Sequence, residues 1–179
     1  MTEQELNALR YPIGTFLKPE TITPKHIQLW IKDLELLPNQ VLNAVQKLDE
    51  EQLDTPYRPG GWTVRQTIHH VADSHANGYI RLKLALTEDN PTIKPYEEQL
   101  WAELPDSKLE IGLSLSLIEN IHARWVTILR GMTVNDFDKT FYHPGSQTTN
   151  ALDAHTGMYS WHGRHHLAHI ENLKLRMAW

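Results

Sequence analysis

The chain has 179 residues, 40% of them hydrophobic, so we expect residues 1–179 to form a single globular domain. Its formal net charge of −5, without a run of lysine and arginine, argues against nucleic-acid binding, and no apolar stretch is long enough to span a membrane. The absence of cysteine excludes disulfides and thiolate metal sites, and the first twenty residues lack the apolar centre of a secretory signal. These features favour a cytoplasmic protein.

The first predicted element is an extended surface segment, because the residues up to about Ile22 include Pro12, Gly14 and Pro19. A long helix is then predicted from Thr23, a favourable N-cap, with Pro24 at the first helical position. Its apolar residues recur at intervals of three and four: Ile27, Trp30, Leu34, Leu37, Val41, Val45 and Leu48. Since Pro38 lacks a backbone donor, we expect this helix to kink or restart there.

A second helix is predicted from Thr63, because Thr63 and Gln66 have the spacing of a capping box. Polar side chains interrupt its apolar pattern, namely those of His69, His70, Asp73, His75 and Asn77. Residues 90–106 contain three prolines and predict a long ordered loop, which we expect to shape a pocket. Tyr96 and Trp101 are aromatic candidates for its walls.

A third helix is predicted from about Leu113 to Leu129, with Gly131 placed to end it. A turn is expected at residues 143–145, after which Asn150 is a candidate N-cap for a fourth helix with Asp153 in its first turn. No segment shows a clear strand alternation. The pattern therefore predicts an all-α four-helix bundle with a long ordered loop between helices two and three.

Eight of the eleven histidines lie in two short windows, residues 69–75 and 155–169, on predicted helices two and four. His162 and His166 are four residues apart, so in a helix their rings lie about 6 Å apart along the axis and can chelate one metal ion. A third ligand must come from elsewhere, and His69, His70 and His75 are the candidates. Three neutral nitrogen ligands leave a coordination position open, as in catalytic rather than structural sites.

Several other interpretations of these residues remain open. The zinc-protease helix has a glutamate between its paired histidines, whereas Gly163, Arg164 and His165 stand there in this chain. A di-metal carboxylate bundle needs repeated Glu-x-x-His motifs, and only Glu119 and His122 provide one. A bundle that stores or senses metal, a bis-histidine haem protein, and solvated surface histidines are the remaining alternatives.

The supporting roles are less specific. Asp73, three residues after His70, is a candidate hydrogen-bond acceptor for a ligand imidazole. Arg81 lies three helical turns beyond His70 and is a candidate to bind an anionic group of the substrate, and Trp62 is a candidate for the pocket wall. We expect structural or solvated roles for three other histidines, His69, His165 and His169.

Four motifs carry a resemblance that spans nearly the whole chain: "YPIG" at Tyr11, "LDTPYRPGGWTVRQTIHHVADSH", "FYHPG" and "WHGRHHLAHI". With them the chain resembles the DinB-like four-helix-bundle superfamily, and within it the YfiT group of metal-dependent hydrolases, some of which are bacillithiol S-transferases. The resemblance implies that His70, His162 and His166 bind the metal. It further implies a divalent metal cofactor, zinc foremost and nickel as the alternative, a cytoplasmic location and a homodimer.

Two reactions on a small-molecule substrate follow from such a site. A metal-bound water has a pKa near 7 and hydrolyses the substrate, which makes the protein a metal-dependent hydrolase. Alternatively the metal binds a low-molecular-weight thiol whose thiolate attacks an electrophile, which makes it a thiol S-transferase of the bacillithiol type. Since the chain has no cysteine, that thiol must be a cosubstrate. The second alternative is a metal-binding bundle without enzymatic activity; the sequence assigns no general acid or base.

Overall fold

Four long helices form the predicted bundle in a computed structural model that describes residues 2–179. In chain order the elements are α1 (Glu3–Arg10), α2 (Pro24–Val45), α3 (Glu50–Leu53), α4 (Val64–Thr87), α5 (Glu98–Trp101), α6 (Ile111–Gly131), α7 (Val134–Phe137), β1 (Thr140–His143), β2 (Thr148–Ala151) and α8 (Leu152–Met177). The long ordered loop lies between α4 and α6 and contains α5 and a 3₁₀ turn, Pro105–Lys108. No helix in the described chain has the length and apolarity needed to cross a membrane.

The helix order in the bundle differs from the order along the chain. Both α2 and α4 pack against α6 and α8, so the consecutive long helices α2 and α4 are diagonally opposed. Gly163 allows a close approach of α8 to α2, because a Cβ atom at this position would collide with the Leu37 side chain. This arrangement places α4 and α8, the two histidine-rich helices, side by side.

The core consists of two apolar clusters with a polar layer between them. One cluster includes Leu37, Val64, Ile68, Ile118, Leu167 and Ile170, and the other includes Leu34, Tyr79, Leu82, Trp125, Leu152 and Tyr159. His75, His122 and His162 each lie at the point along their helix where the first cluster gives way to the second. The bundle therefore carries a layer of imidazoles through its centre.

The helix starts agree with the capping signals. Thr23 caps α2 with Pro24 in its first turn, and Thr63 caps α4 in a capping box with Gln66. These signals satisfy backbone donors at the first turn, so they fix where each helix begins. The start of α4 places His70 two turns into the helix, facing the bundle interior.

Two expectations near the chain's beginning need correction. The segment before Ile22 is not wholly extended, because Thr2 and Glu5 form a capping box that starts α1. The α2 helix does not restart at Pro38 but continues through it to Val45. The missing backbone donor of Pro38 leaves the Leu34 carbonyl without its usual helical partner, and a side chain from another helix supplies one.

Two expectations near the fourth helix also need correction. A two-stranded antiparallel sheet, β1 with β2, precedes α8, and the turn predicted at residues 143–145 lies in the hairpin between these strands. Threonine and aromatic residues in these segments favour the extended conformation. Asn150 therefore belongs to β2, and the N-cap of α8 is Ala151, which makes no side-chain capping bond.

Uncharged histidines in this core make the fold sensitive to acid. His122 and His155 are buried, and desolvation lowers the pKa of each to about 4 from an ordinary value of 6.5. Protonation is thus disfavoured in the folded chain and not in the unfolded one. The stability contributed by each group is complete above pH 6.5 and is lost as pH falls toward 4.

We predict that the metal-free protein loses about 1.4 kcal/mol of unfolding free energy for each of these two histidines between pH 7.5 and pH 5.5. Urea denaturation at both pH values measures this loss. The His155→Phe variant removes one of the two groups, so its loss should be smaller by about that amount. An equal loss in the variant and the wild type would contradict the assignment of His155.

Candidate metal centre

Three imidazoles from two helices converge in the interior. His70 comes from α4, and His162 and His166 come from successive turns of α8; one ring nitrogen from each lies within 4.8 Å of the others. The Nε2 atoms of His70 and His162 are 3.3 Å apart, and the ring centroids of His162 and His166 are 4.5 Å apart. The structure thus brings together the three histidines that the family resemblance implies.

The electrostatics of these rings suit a metal ion. Burial lowers the pKa of His70 to about 4 and lowers the pKa values of His162 and His166 well below 6.5. The rings are therefore neutral at physiological pH and keep the lone pairs that a metal requires. An imidazole that is buried without charge needs no counterion, so the three rings can lie together in the core.

The geometry of the donor atoms fits the same conclusion. Two nitrogens bound at about 2.0–2.1 Å to one tetrahedral zinc ion lie roughly 3.3 Å apart, as the Nε2 atoms of His70 and His162 do. The Nδ1 atom of His166 is buried and has no hydrogen-bond partner within the described chain. Three imidazole donors suit zinc or nickel, so this site can hold either ion.

The side chains of three neighbouring histidines contact residues outside the cluster. His69 donates from Nε2 to the Leu109 carbonyl at 3.1 Å and accepts at Nδ1 from the Ser114 hydroxyl at 2.7 Å. His165 stacks on Trp161 with ring centroids 4.6 Å apart. His169 donates to the Arg10 carbonyl and stacks on Tyr57. None of these three belongs to the cluster.

Asp73 does not take the supporting role that its spacing indicates. Within residues 2–179 its carboxylate makes no hydrogen bond to a ligand imidazole, and burial, followed by the charge of Asp106, raises its pKa to about 6. Three residues place Asp73 almost one turn beyond His70, and Asp73 lines neither of the cavities that reach the cluster. The Nδ1 atom of His162 instead lies 3.2 Å from Nε2 of His75.

Two cavities, both partly open to solvent, meet at His162. The first has a volume of about 230 Å³ and is bounded by Trp62, whose ring centroid lies 4.4 Å from that of His70. The second has a volume of about 590 Å³ and is bounded by Arg81 and Tyr96. The first cavity therefore gives a small molecule access to all three rings of the cluster, and the second cavity reaches one of them, His162.

Arg81, Trp62 and the loop residues are placed differently around these cavities. The guanidinium of Arg81 lies 3.4 Å from the Lys94 carbonyl, and within the described chain it forms no ion pair with a carboxylate. Trp101 packs against Tyr96 from outside and lines neither cavity. Glu98 lines both cavities and, among the described residues, is the one acidic side chain that does so, a position that no local motif in the sequence indicates.

Comparisons with known proteins agree with the fold and the site. A family model described as the DinB superfamily matches residues 33–170. A Bacillus cereus protein named "Putative metal-dependent hydrolase" is 56% identical over 174 residues, which cover 97% of this chain and 100% of that protein. A Bacillus anthracis protein of the same name has the same identity and coverage.

A solved structure is also similar over nearly its whole length. It is described as YfiT from Bacillus subtilis, "a probable metal-dependent hydrolase with an unusual four-helix bundle topology". The TM-score is 0.94 at 47% identity, and the match covers 96% of this chain and 99% of that one. In this chain α2 and α4 are diagonally opposed, and three histidines form a cluster between the helices. The chain belongs to the DinB superfamily.

Proposed function

We propose that the protein is a metal-dependent hydrolase of a small molecule. The observation that carries this proposal is that the three neutral imidazoles line one open cavity and that a second, larger cavity also reaches His162. A divalent ion held by three imidazoles supplies Lewis acidity that brings the pKa of water near 7. The names of the Bacillus relatives support the same reaction class. Zinc is the proposed ion, with nickel as the alternative.

We assign the proton-accepting role to Glu98. Its carboxylate is exposed at the wall shared by both cavities, and both cavities also reach His162. Hydrolysis requires a group that takes a proton from the attacking water and returns it to the leaving group. Within residues 2–179 no other carboxylate lines either cavity, so Glu98 is the carboxylate that fits the task.

Arg81 and Trp62 are proposed to hold the substrate. Arg81 faces the larger cavity with its guanidinium unpaired within the described chain, so an anionic group there gains a charge-assisted hydrogen bond without breaking an ion pair. Trp62 covers the opposite side of the cluster and offers a flat apolar wall. The favoured substrate is therefore a small molecule with an anionic group at one end.

Thiol S-transfer is the second candidate, and the paired cavities favour it. In this reaction a cosubstrate thiol loses its proton, its sulfur bonds to an electrophilic carbon, and the leaving group departs from that carbon. Two reactants need two approaches to one site, and the cavities provide them on either side of His162. The chain has no cysteine, so no side-chain thiol competes with the cosubstrate.

The ligand set is tested by zinc titration of untagged, metal-free variants. Replacing His70, His162 or His166 singly with alanine is expected to lower zinc affinity at least 100-fold, because two imidazoles do not complete the site. His69→Ala and His165→Ala are the matched controls and should bind zinc as the wild type does. An equal loss in all five variants would show that the metal is held by some other arrangement.

The reaction is tested with zinc-loaded protein on esters and amides that carry or lack a carboxylate, and on thiols mixed with alkyl electrophiles. We expect hydrolysis, fastest for carboxylate-bearing substrates, and a decrease in kcat of about 100-fold in Glu98→Gln at unchanged zinc content. Glu97→Gln is the control, because Glu97 precedes Glu98 on the same segment and lines neither cavity.

Two outcomes of this experiment, the first and the last of those below, contradict the hydrolase proposal, and the other contradicts the role assigned to Glu98. Consumption of thiol and electrophile without hydrolysis would assign the protein to the S-transferases. An unchanged kcat in Glu98→Gln would remove Glu98 from the mechanism. Absence of any turnover in a fully zinc-loaded sample would favour the bundle that binds metal without catalysis.

A further inference from the structure

Three imidazoles, two buried and one partly exposed, form a continuous hydrogen-bonded chain that ends at the metal cluster. The Nδ1 atom of His122 bonds to the backbone carbonyl of Leu34, and its Nε2 atom lies 2.8 Å from Nδ1 of His75. The Nε2 atom of His75 lies 3.2 Å from Nδ1 of His162, and Nε2 of His162 faces His70. His75 and His122 are 0% and 1% exposed, so no bulk water competes for the hydrogen bond between them.

The carbonyl at one end determines the direction of every hydrogen bond. A carbonyl only accepts, so Nδ1 of His122 must carry a proton and donate it. A buried imidazole that faces no carboxylate remains neutral, which leaves Nε2 of His122 as an acceptor for the Nδ1 proton of His75. By the same step Nε2 of His75 accepts from Nδ1 of His162. The Nε2 lone pair of His162 is then free and points into the cluster.

The sequence accounts for the free carbonyl. In an uninterrupted helix the Leu34 carbonyl accepts from the backbone N–H of residue 38, but residue 38 is proline and has none. His122, which lies on α6 directly against α2, supplies the missing donor from its Nδ1 atom. The proline that stands inside α2 thereby provides the acceptor on which the chain of imidazoles depends.

We propose that His75 and His122 are positioning residues that hold His162 in the tautomer and orientation required of a metal ligand. The partner of a ligating histidine is commonly a carboxylate or a backbone carbonyl, and it fixes which ring nitrogen is free. Here the carbonyl of Leu34 fixes the tautomer of His162 through two intervening imidazoles, those of His122 and His75. The inference rests on the three-histidine metal site of the proposed function, and it holds for either reaction.

A neutral chain has a consequence for the bound ion. A carboxylate partner adds negative charge beside a ligand and thereby lowers the effective charge that the metal presents to substrate. His75 and His122 fix the His162 ring without adding charge, and Asp73 makes no hydrogen bond to the ligand rings. The site therefore keeps the full attraction of a divalent cation for an anionic or polarised substrate group.

The first test is the tautomeric state of the three histidines in the metal-free wild type. Long-range ¹H–¹⁵N correlation spectra of protein labelled in its histidine rings distinguish Nδ1–H from Nε2–H. We expect Nδ1–H for His122, His75 and His162, although the free imidazole of histidine in water prefers Nε2–H. An Nε2–H tautomer at any of the three would overturn the proposal, whether or not the protein turns over a substrate.

The second test compares His122→Phe with the matched variant His155→Phe by zinc competition against a chromophoric chelator. His155 is equally enclosed in the core, but it bonds to the Gly78 carbonyl and lies outside the chain. We expect His122→Phe to bind zinc at least about 10-fold more weakly and to lose the pure Nδ1–H signal of His162, and His155→Phe to change neither. Equal zinc affinity in His122→Phe and wild type would overturn the positioning role, and if His70→Ala still abolished binding, the metal site itself would stand.

Discussion

The interior of this protein is organised by the cost of placing charge away from water. Burial holds the central imidazoles in their neutral form, and a neutral imidazole offers one donor and one acceptor to its surroundings. Each ring must therefore find a donor on one side and an acceptor on the other. The chain of hydrogen bonds from Leu34 to His162 meets this requirement inside the protein, and the last nitrogen, Nε2 of His162, faces His70 in the cluster.

The arrangement of the helices makes this row possible. Because α2 and α4 are diagonally opposed, α6 and α8 each contact both of them, and the chain of imidazoles can cross from α2 through α6 and α4 to α8. Apolar clusters on either side exclude water from it. The same crossing leaves the outer edge of the cluster, at His70 and His162, in contact with the two cavities. The apolar clusters thus shield the hydrogen bonds between the imidazoles, and the cavities give a substrate access to the ligand rings.

Local signals predicted a large part of this structure. The caps at Thr23 and Thr63 and the spacing of His162 and His166 are short-range features, and the structure confirms the helix starts and the convergence of those two rings. Thr2 and Glu5 also have the spacing of a capping box that starts the first helix, whereas the prolines and glycine that follow them favour an extended segment. Which histidine of α4 completes the cluster depends on the rotation of α4 against α8, and on residues alone three candidates remained.

The supporting residues could not be derived in the same way. A carboxylate three residues from a ligand is a reasonable partner by sequence spacing, yet Asp73 makes no hydrogen bond to the ligand rings. His75 instead links the ligand His162 to His122. Contacts of this kind depend on tertiary packing. The sequence contains one indication of these contacts: because residue 38, four residues after Leu34, is proline, the Leu34 carbonyl has no backbone donor within its helix.

The measurement that tests the central claim most directly is anomalous diffraction at the zinc edge from crystals of the zinc-loaded protein. The account predicts one strong peak per chain, at about 2.0–2.1 Å from a ring nitrogen of each of His70, His162 and His166. A peak on other histidines, such as His165 and His169, or no peak in the bundle interior, would contradict it.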